Sequence, residues 1–144
     1  GPDVLDPALD AAAVAARLQS PAFRGRALGS LLLDQGFLAG MGNYLRAEVL
    51  FAAGLRPERR PKTLDAAATA RLAQALLDIP RHSYRTRGIA PADRMREDYL
   101  TDTSDAFRFQ VFGREGQPCP ACGTRIERIN SGSRRLYLCP ACQS

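Results

Sequence analysis

The chain reads as mainly α: a helical bundle followed by a small β-hairpin ribbon. Three observations predict this. Apolar residues recur at helical spacing through the first half of the 144 residues, most cleanly at Leu64, Ala68, Leu72, Leu76 and Ile79. Two of the helical stretches are separated by Gly36, Gly40 and Gly42, which cannot all sit inside one helix. Near the end, Cys119-Pro-Ala-Cys122 and Cys139-Pro-Ala-Cys142 bracket two short alternating segments, 125–129 and 134–138, around an Asn130-Ser-Gly-Ser133 turn.

The elements follow in order. Asp10 is placed to cap a helix over 11–18, and Ser20-Pro21 stops it. A second helix is expected from Ala22 or Arg26 to Gln35, with Leu28, Leu31 and Leu32 on one face. After the glycine-bounded turn, Asn43 is expected to cap a helix over 44–53, with Gly54 just past its end and Pro57 blocking its continuation. Thr63 starts the next helix, which ends near Pro80. Residues 85–104 are polar and charged and read as a loop. The alternation of Phe107, Phe109 and Val111 predicts a strand over 107–112, its aromatics joining the helical part to the ribbon. This divides the chain into a helical domain, 1–104, and a ribbon, 105–144.

The four cysteines are the only ones in the chain. Two C-x2-C knuckles let four thiolates converge on one ion, and zinc prefers such soft donors in a tetrahedron. Two disulfides are the alternative; adjacent C-x2-C pairs suit a metal better, and no apolar leader or membrane-spanning stretch is apparent. One Zn2+ is expected, held by Cys119, Cys122, Cys139 and Cys142. With four protein ligands it has no open position, so its role is structural. A segment this short buries too little surface to fold on packing alone.

The formal charge is +5, and nineteen of the twenty basic residues are arginine, Lys62 being the exception. Arginine suits phosphate through its planar fork. A GC-rich genome would give the same bias, so composition leaves both readings open. In the turn, the small residues Ala39-Gly-Met-Gly42 would admit a nucleic-acid backbone, and the Gly42 main chain with Asn43 opens a helix whose free N–H groups favour an anion. Simple helix capping by Asn43 is the competing reading.

Leu33-Asp-Gln, Ala39-Gly-Met-Gly-Asn-Tyr44, Ala47-Glu48 and Ala53-Gly-Leu-Arg-Pro57 together resemble the helix-two-turn-helix of the formamidopyrimidine-DNA glycosylase/endonuclease VIII family. The stretch from Phe112-Gly-Arg-Glu to Cys139-Pro-Ala-Cys-Gln143 resembles that family's zinc finger, and Gly1-Pro-Asp-Val-Leu-Asp6 with Pro80-Arg-His-Ser-Tyr-Arg-Thr-Arg-Gly88 looks closer to the endonuclease VIII branch. The resemblance implies the DNA-binding C-terminal half of a base-excision-repair glycosylase/AP lyase acting on oxidised pyrimidines. Its partner would be double-stranded DNA carrying damaged bases or abasic sites. It makes Asn43 a phosphate ligand and Arg134 the hairpin-tip arginine, with Arg135 a weaker rival.

The family's catalysis uses an N-terminal proline amine and an adjacent glutamate. Pro2 follows Gly1, so its nitrogen is an amide; Lys62 and His82 read as surface residues. The catalytic domain is therefore expected to be absent from this sequence, and no catalytic residue is assigned within it. A cytoplasmic, nucleoid-associated monomer with no membrane contact is expected. A stand-alone zinc-ribbon module binding nucleic acid or protein is the alternative.

Overall fold

The computed structural model describes residues 1–87 and 107–144. Helix α1 (Ala11–Leu18) starts as the sequence predicts, with the Asp10 carboxylate accepting from the Ala13 N–H at 2.8 Å. Helix α2 is one turn, Leu28–Leu31, not the long helix expected. Side chains take over the backbone after it. Asp34 accepts from the Gly36 N–H at 2.7 Å and pairs with Arg26, while Gln35 reaches the Gly40 N–H and the Met41 carbonyl. Such local side-chain bonds compete with helix continuation. Arg17 of α1 then fixes the turn by donating to the Phe37 and Gly36 carbonyls at 2.6 and 2.9 Å.

Helix α3 (Asn43–Ala53) ends at Gly54, whose φ of +72° is the left-handed conformation that the sequence assigned to glycine there. A 3-10 turn, Pro61–Thr63, precedes α4 (Ala66–Arg87), and Asp65, not Thr63, caps α4 at the Ala68 N–H, 2.7 Å away. Helix α4 runs through Pro80 instead of ending there. An internal proline costs roughly 3 kcal/mol, and tertiary bonds hold the last turns. Arg81 donates to the Val4, Asp6 and Leu9 carbonyls, and the Ser83 hydroxyl meets that of Tyr44 at 3.1 Å. Residues 85–87 of the expected loop are thus helical; the rest of it lies outside the described residues.

Residues 107–112 form no strand. The N–H groups of Gln110, Val111 and Phe112 point at the buried Glu48 carboxylate of α3, at 2.7, 3.0 and 2.9 Å, so none of the three is spent on a strand partner. The aromatics do what the alternation predicts. Phe107, Phe109 and Phe112 pack edge-on around Tyr44 of α3, and Phe112 meets Tyr137 of the ribbon at 5.1 Å.

The ribbon is an antiparallel pair, β1 (Glu127–Ser131) and β2 (Arg134–Leu138), with Ser131 opposite Arg134. Strand β1 sits two residues later than expected, and the turn tightens to Gly132-Ser133, with φ of +68° at Gly132. Four helices and a hairpin are the expected fold class. Helices α1 and α3 pack on α4, and α3 also packs on β2. The core is continuous: Leu31, Leu45 and Leu72 from the helices belong to one cluster with Val111, Ile126, Leu136 and Cys139. Among the described residues no helix is long and apolar enough to cross a membrane.

Candidate nucleic-acid interface

Asn43 is not the cap of α3. Gly42 holds the cap position, in extended conformation, and no side chain caps the helix. The cap residue itself thus offers no side-chain acceptor to the first N–H groups of α3, and a helix start of this kind favours an anion. Asn43 is the first helical residue, and its side chain faces the ribbon. Its Nδ2 donates to the Arg135 carbonyl at 2.9 Å, and its Oδ1 accepts from Arg46 at 2.6 Å. Three residues apart on one helix, Asn43 and Arg46 share a face.

Arg46 is the centre of this arrangement. Its side chain is fully buried, and it donates to the Gly29 carbonyl of α2 at 2.7 Å, to the Ser131 hydroxyl at 3.3 Å and to the Arg135 carbonyl at 3.4 Å. One guanidinium thus ties α2, α3 and both strands of the hairpin together near its turn. Its Nε has no partner, and none of the three salt bridges among the described residues includes it. Burial first, and the charge of Arg134 second, push its pKa down to about 10. At neutral pH it stays charged. A buried cation with no salt bridge among the described residues, beside two exposed arginines at the hairpin tip, makes the junction positive.

Gly29 is required here by close approach. A Cβ at that position would lie 2.6 Å from the Ser131 hydroxyl oxygen and 2.9 Å from Pro57 Cβ. Helix α2 can touch the hairpin only with a bare α-carbon.

The four cysteines are free thiols whose sulfur atoms lie within 4.8 Å of one another. The Cys119–Cys142 and Cys122–Cys139 sulfurs are 3.8 and 3.5 Å apart, against the about 2.05 Å of a disulfide. Four sulfurs at about 2.3 Å from a tetrahedral zinc stand about 3.8 Å apart, so the donor set fits that ion. Left alone, the thiols compete for charge. Hydrogen bonds from Thr124 draw Cys122 down to about 6, and the hydrogen bond to Cys122 pushes Cys142 up to about 12. Burial raises Cys139. Gln143 staples the cluster to the segment just after α3: its side chain accepts from the Cys139 N–H at 2.8 Å and donates to the Leu55 carbonyl at 2.9 Å.

The model of the formamidopyrimidine-DNA glycosylase H2TH domain matches residues 1–92. The chain belongs to that family. A second model, the zinc finger found in FPG and IleRS, matches residues 116–144 of this H2TH-family chain. Endonuclease 8 of Shigella sonnei is 50% identical over 143 residues, which are 99% of this chain and 52% of that protein. Endonuclease 8 of Escherichia coli O17:K52:H18 is 51% identical with the same coverage. The chain thus spans about half the length of the curated relatives it matches. A solved complex between the Lactococcus lactis Fpg and DNA containing an abasic site is 25% identical, with a TM-score of 0.79 over 100% of this chain and 51% of that one.

The structure therefore brings Gly42, Asn43, Arg134 and Arg135 to one junction and the four cysteines to another, while Lys62 and His82 lie outside both. Sequence reasoning missed Arg46, Gln143 and Gly29. A charged residue three positions after Asn43, between Leu45 and Ala47, was a visible signal for Arg46.

Proposed function

We propose that this chain is the DNA-gripping, C-terminal half of an endonuclease VIII-type DNA glycosylase/AP lyase. Asn43 and Arg134 clamp phosphates flanking an oxidised pyrimidine or abasic site. The Gly42 main chain lines the approach, and Arg135 adds a weaker contact. Cys119, Cys122, Cys139 and Cys142 hold one zinc ion, which supplies rigidity and takes no part in the reaction. Base removal and strand cleavage belong to an N-terminal domain carrying the proline amine and glutamate, and the protein works as a monomer on DNA in the cytoplasm. Within this chain, the helical part to residue 104 and the ribbon from 105 form the two lobes of the grip.

The observation that carries this reading is the junction itself. The hairpin bearing Arg134 is bolted through its Arg135 carbonyl to Asn43, over a buried cation with no salt bridge among the described residues. A phosphate complements that positive junction, and the positive end of the α3 dipole at Gly42 and Asn43 favours it. Specificity for the lesion is left to the other half, because phosphate contacts position and base contacts specify.

The test is fluorescence anisotropy with a duplex carrying an abasic-site analogue, measured across about 50 to 200 mM salt. Four neutralised phosphates give a log–log slope of roughly −3 to −4. Arg134→Ala makes the slope less negative by about 1. A flat salt dependence, or tight binding indifferent to Arg134→Ala, would overturn the clamp.

A further inference from the structure

Arg24 is distant in sequence from Arg60 and Lys62 and adjacent to them in the fold. The Lys62 N–H donates to the Arg24 carbonyl at 3.0 Å, and the Arg60 guanidinium donates to the Gly25 carbonyl. The loop 24–27 and the turn 60–63 are thereby held together, with all three cationic side chains exposed. None of them enters a salt bridge among the described residues. Three acids of the flanking sequence are engaged with other partners: Glu58 with Arg56, Asp34 with Arg26, and Asp65 as the cap of α4.

This cluster is joined to the Asn43–Arg134 junction by a short run of backbone. The Leu28 N–H donates to the Arg59 carbonyl at 2.8 Å and the Gly29 N–H to that of Pro57 at 2.9 Å. Gly29 in turn holds Arg46 through its carbonyl and abuts Ser131 at the hairpin turn. The sequence of contacts therefore runs from the hairpin tip through α2 to the three cations, and Glu58, the carboxylate on that run, is paired with Arg56. Like charges gathered outside any salt bridge among the described residues, on a chain of net charge +5, favour a polyanion.

We infer that Arg24, Arg60 and Lys62 form a second phosphate-binding station, which engages the DNA backbone beyond the phosphates held at Asn43 and Arg134. This rests on the DNA-gripping reading above and extends it. The station touches only backbone, so it adds affinity and register but no sequence preference. Arg60, fixed by the Gly25 carbonyl, is the oriented member; Arg24 and Lys62 act as mobile point charges.

The experiment compares the chain with the triple variant R24A/R60A/K62A on an undamaged duplex of about two helical turns. Each contact contributes close to 0.9 to the log–log salt slope, so the triple variant's slope should be less negative by about 2 to 3. Arg71→Ala, which removes an exposed arginine from α4, should change it by less than about 0.5. Phosphate-ethylation interference with the triple variant should lose its signal on one flank of the footprint and keep it at the phosphates that depend on Asn43 and Arg134. An unchanged slope and footprint would overturn the station. If the triple variant is silent while N43A and R134A weaken binding, only this inference fails. If those two are silent as well, the DNA-gripping reading fails with it.

Discussion

Replacing Glu48 tests how the segment after the helices is held. Its carboxylate is nearly fully buried and accepts three backbone N–H bonds, from Gln110 to one oxygen and from Val111 and Phe112 to the other. A buried N–H left unpaired costs about 1–3 kcal/mol. Glu48→Ala orphans all three donors and opens a cavity, so a loss of about 3–5 kcal/mol is expected. Glu48→Gln keeps the shape but offers one acceptor oxygen. Placed toward Val111 and Phe112, it turns an amide N–H against that of Gln110, and the loss should be about 1–3 kcal/mol. The assay is urea unfolding of the zinc-loaded protein, followed by far-ultraviolet circular dichroism. The effect also has a pH signature. Burial raises the Glu48 pKa above the ordinary glutamate value, while the three N–H groups and Arg114 pull it back. A raised carboxyl favours folding below its unfolded pKa and loses that advantage as pH rises through its folded value. The stability gap between wild type and Glu48→Gln should therefore narrow as pH climbs from the ordinary glutamate range, because glutamine does not titrate. Two variants both within about 0.5 kcal/mol of wild type, or a gap that widens with pH, would refute this account.

Gly29→Ala should lower stability by about 1–3 kcal/mol by overpacking and weaken DNA binding together with it, because the new methyl displaces Ser131 and with it the hairpin; thermal melting and anisotropy read the two effects. Gly54→Ala should cost about 1 kcal/mol in urea unfolding, since alanine strains the left-handed cap of α3. Elemental analysis should find one zinc per chain. Removing it with a chelator should alter the near-ultraviolet signal of Tyr137, which lies against Phe112, while far-ultraviolet helicity largely survives on the apolar stripe of α4.

The parts of the fold that were legible in the sequence are those fixed by local chemistry. Asp10 and Gly54 mark helix ends through bonds and backbone angles that depend on a few neighbours, and both sit where expected. The knuckles converge because their spacing is itself the geometric requirement. The misreadings share a different cause. Pro80 should have ended α4 on propensity, but Arg81 and Ser83 find partners on other elements. Residues 107–112 alternate like a strand, yet a carboxylate some sixty positions away claims their N–H groups. Helix α2 is short because Asp34 and Gln35 bond the turn in its place. Asn43 was expected to cap α3, and Gly42 does so instead. Asn43 serves the hairpin and Arg46 and not its own helix, and no pattern within α3 announces a partner ninety-two residues on.

The bond between Asn43 and the ribbon ends on a main-chain carbonyl, that of Arg135, and never on the arginine's side chain. The two ends of this link are therefore unequal in what they demand of heredity. Position 43 must keep a side chain that donates to a carbonyl and accepts from a guanidinium at once, and few residues can. Position 135 contributes an atom that every amino acid carries. Its side chain is free to drift, and to gain or shed charge, without disturbing how the ribbon is attached.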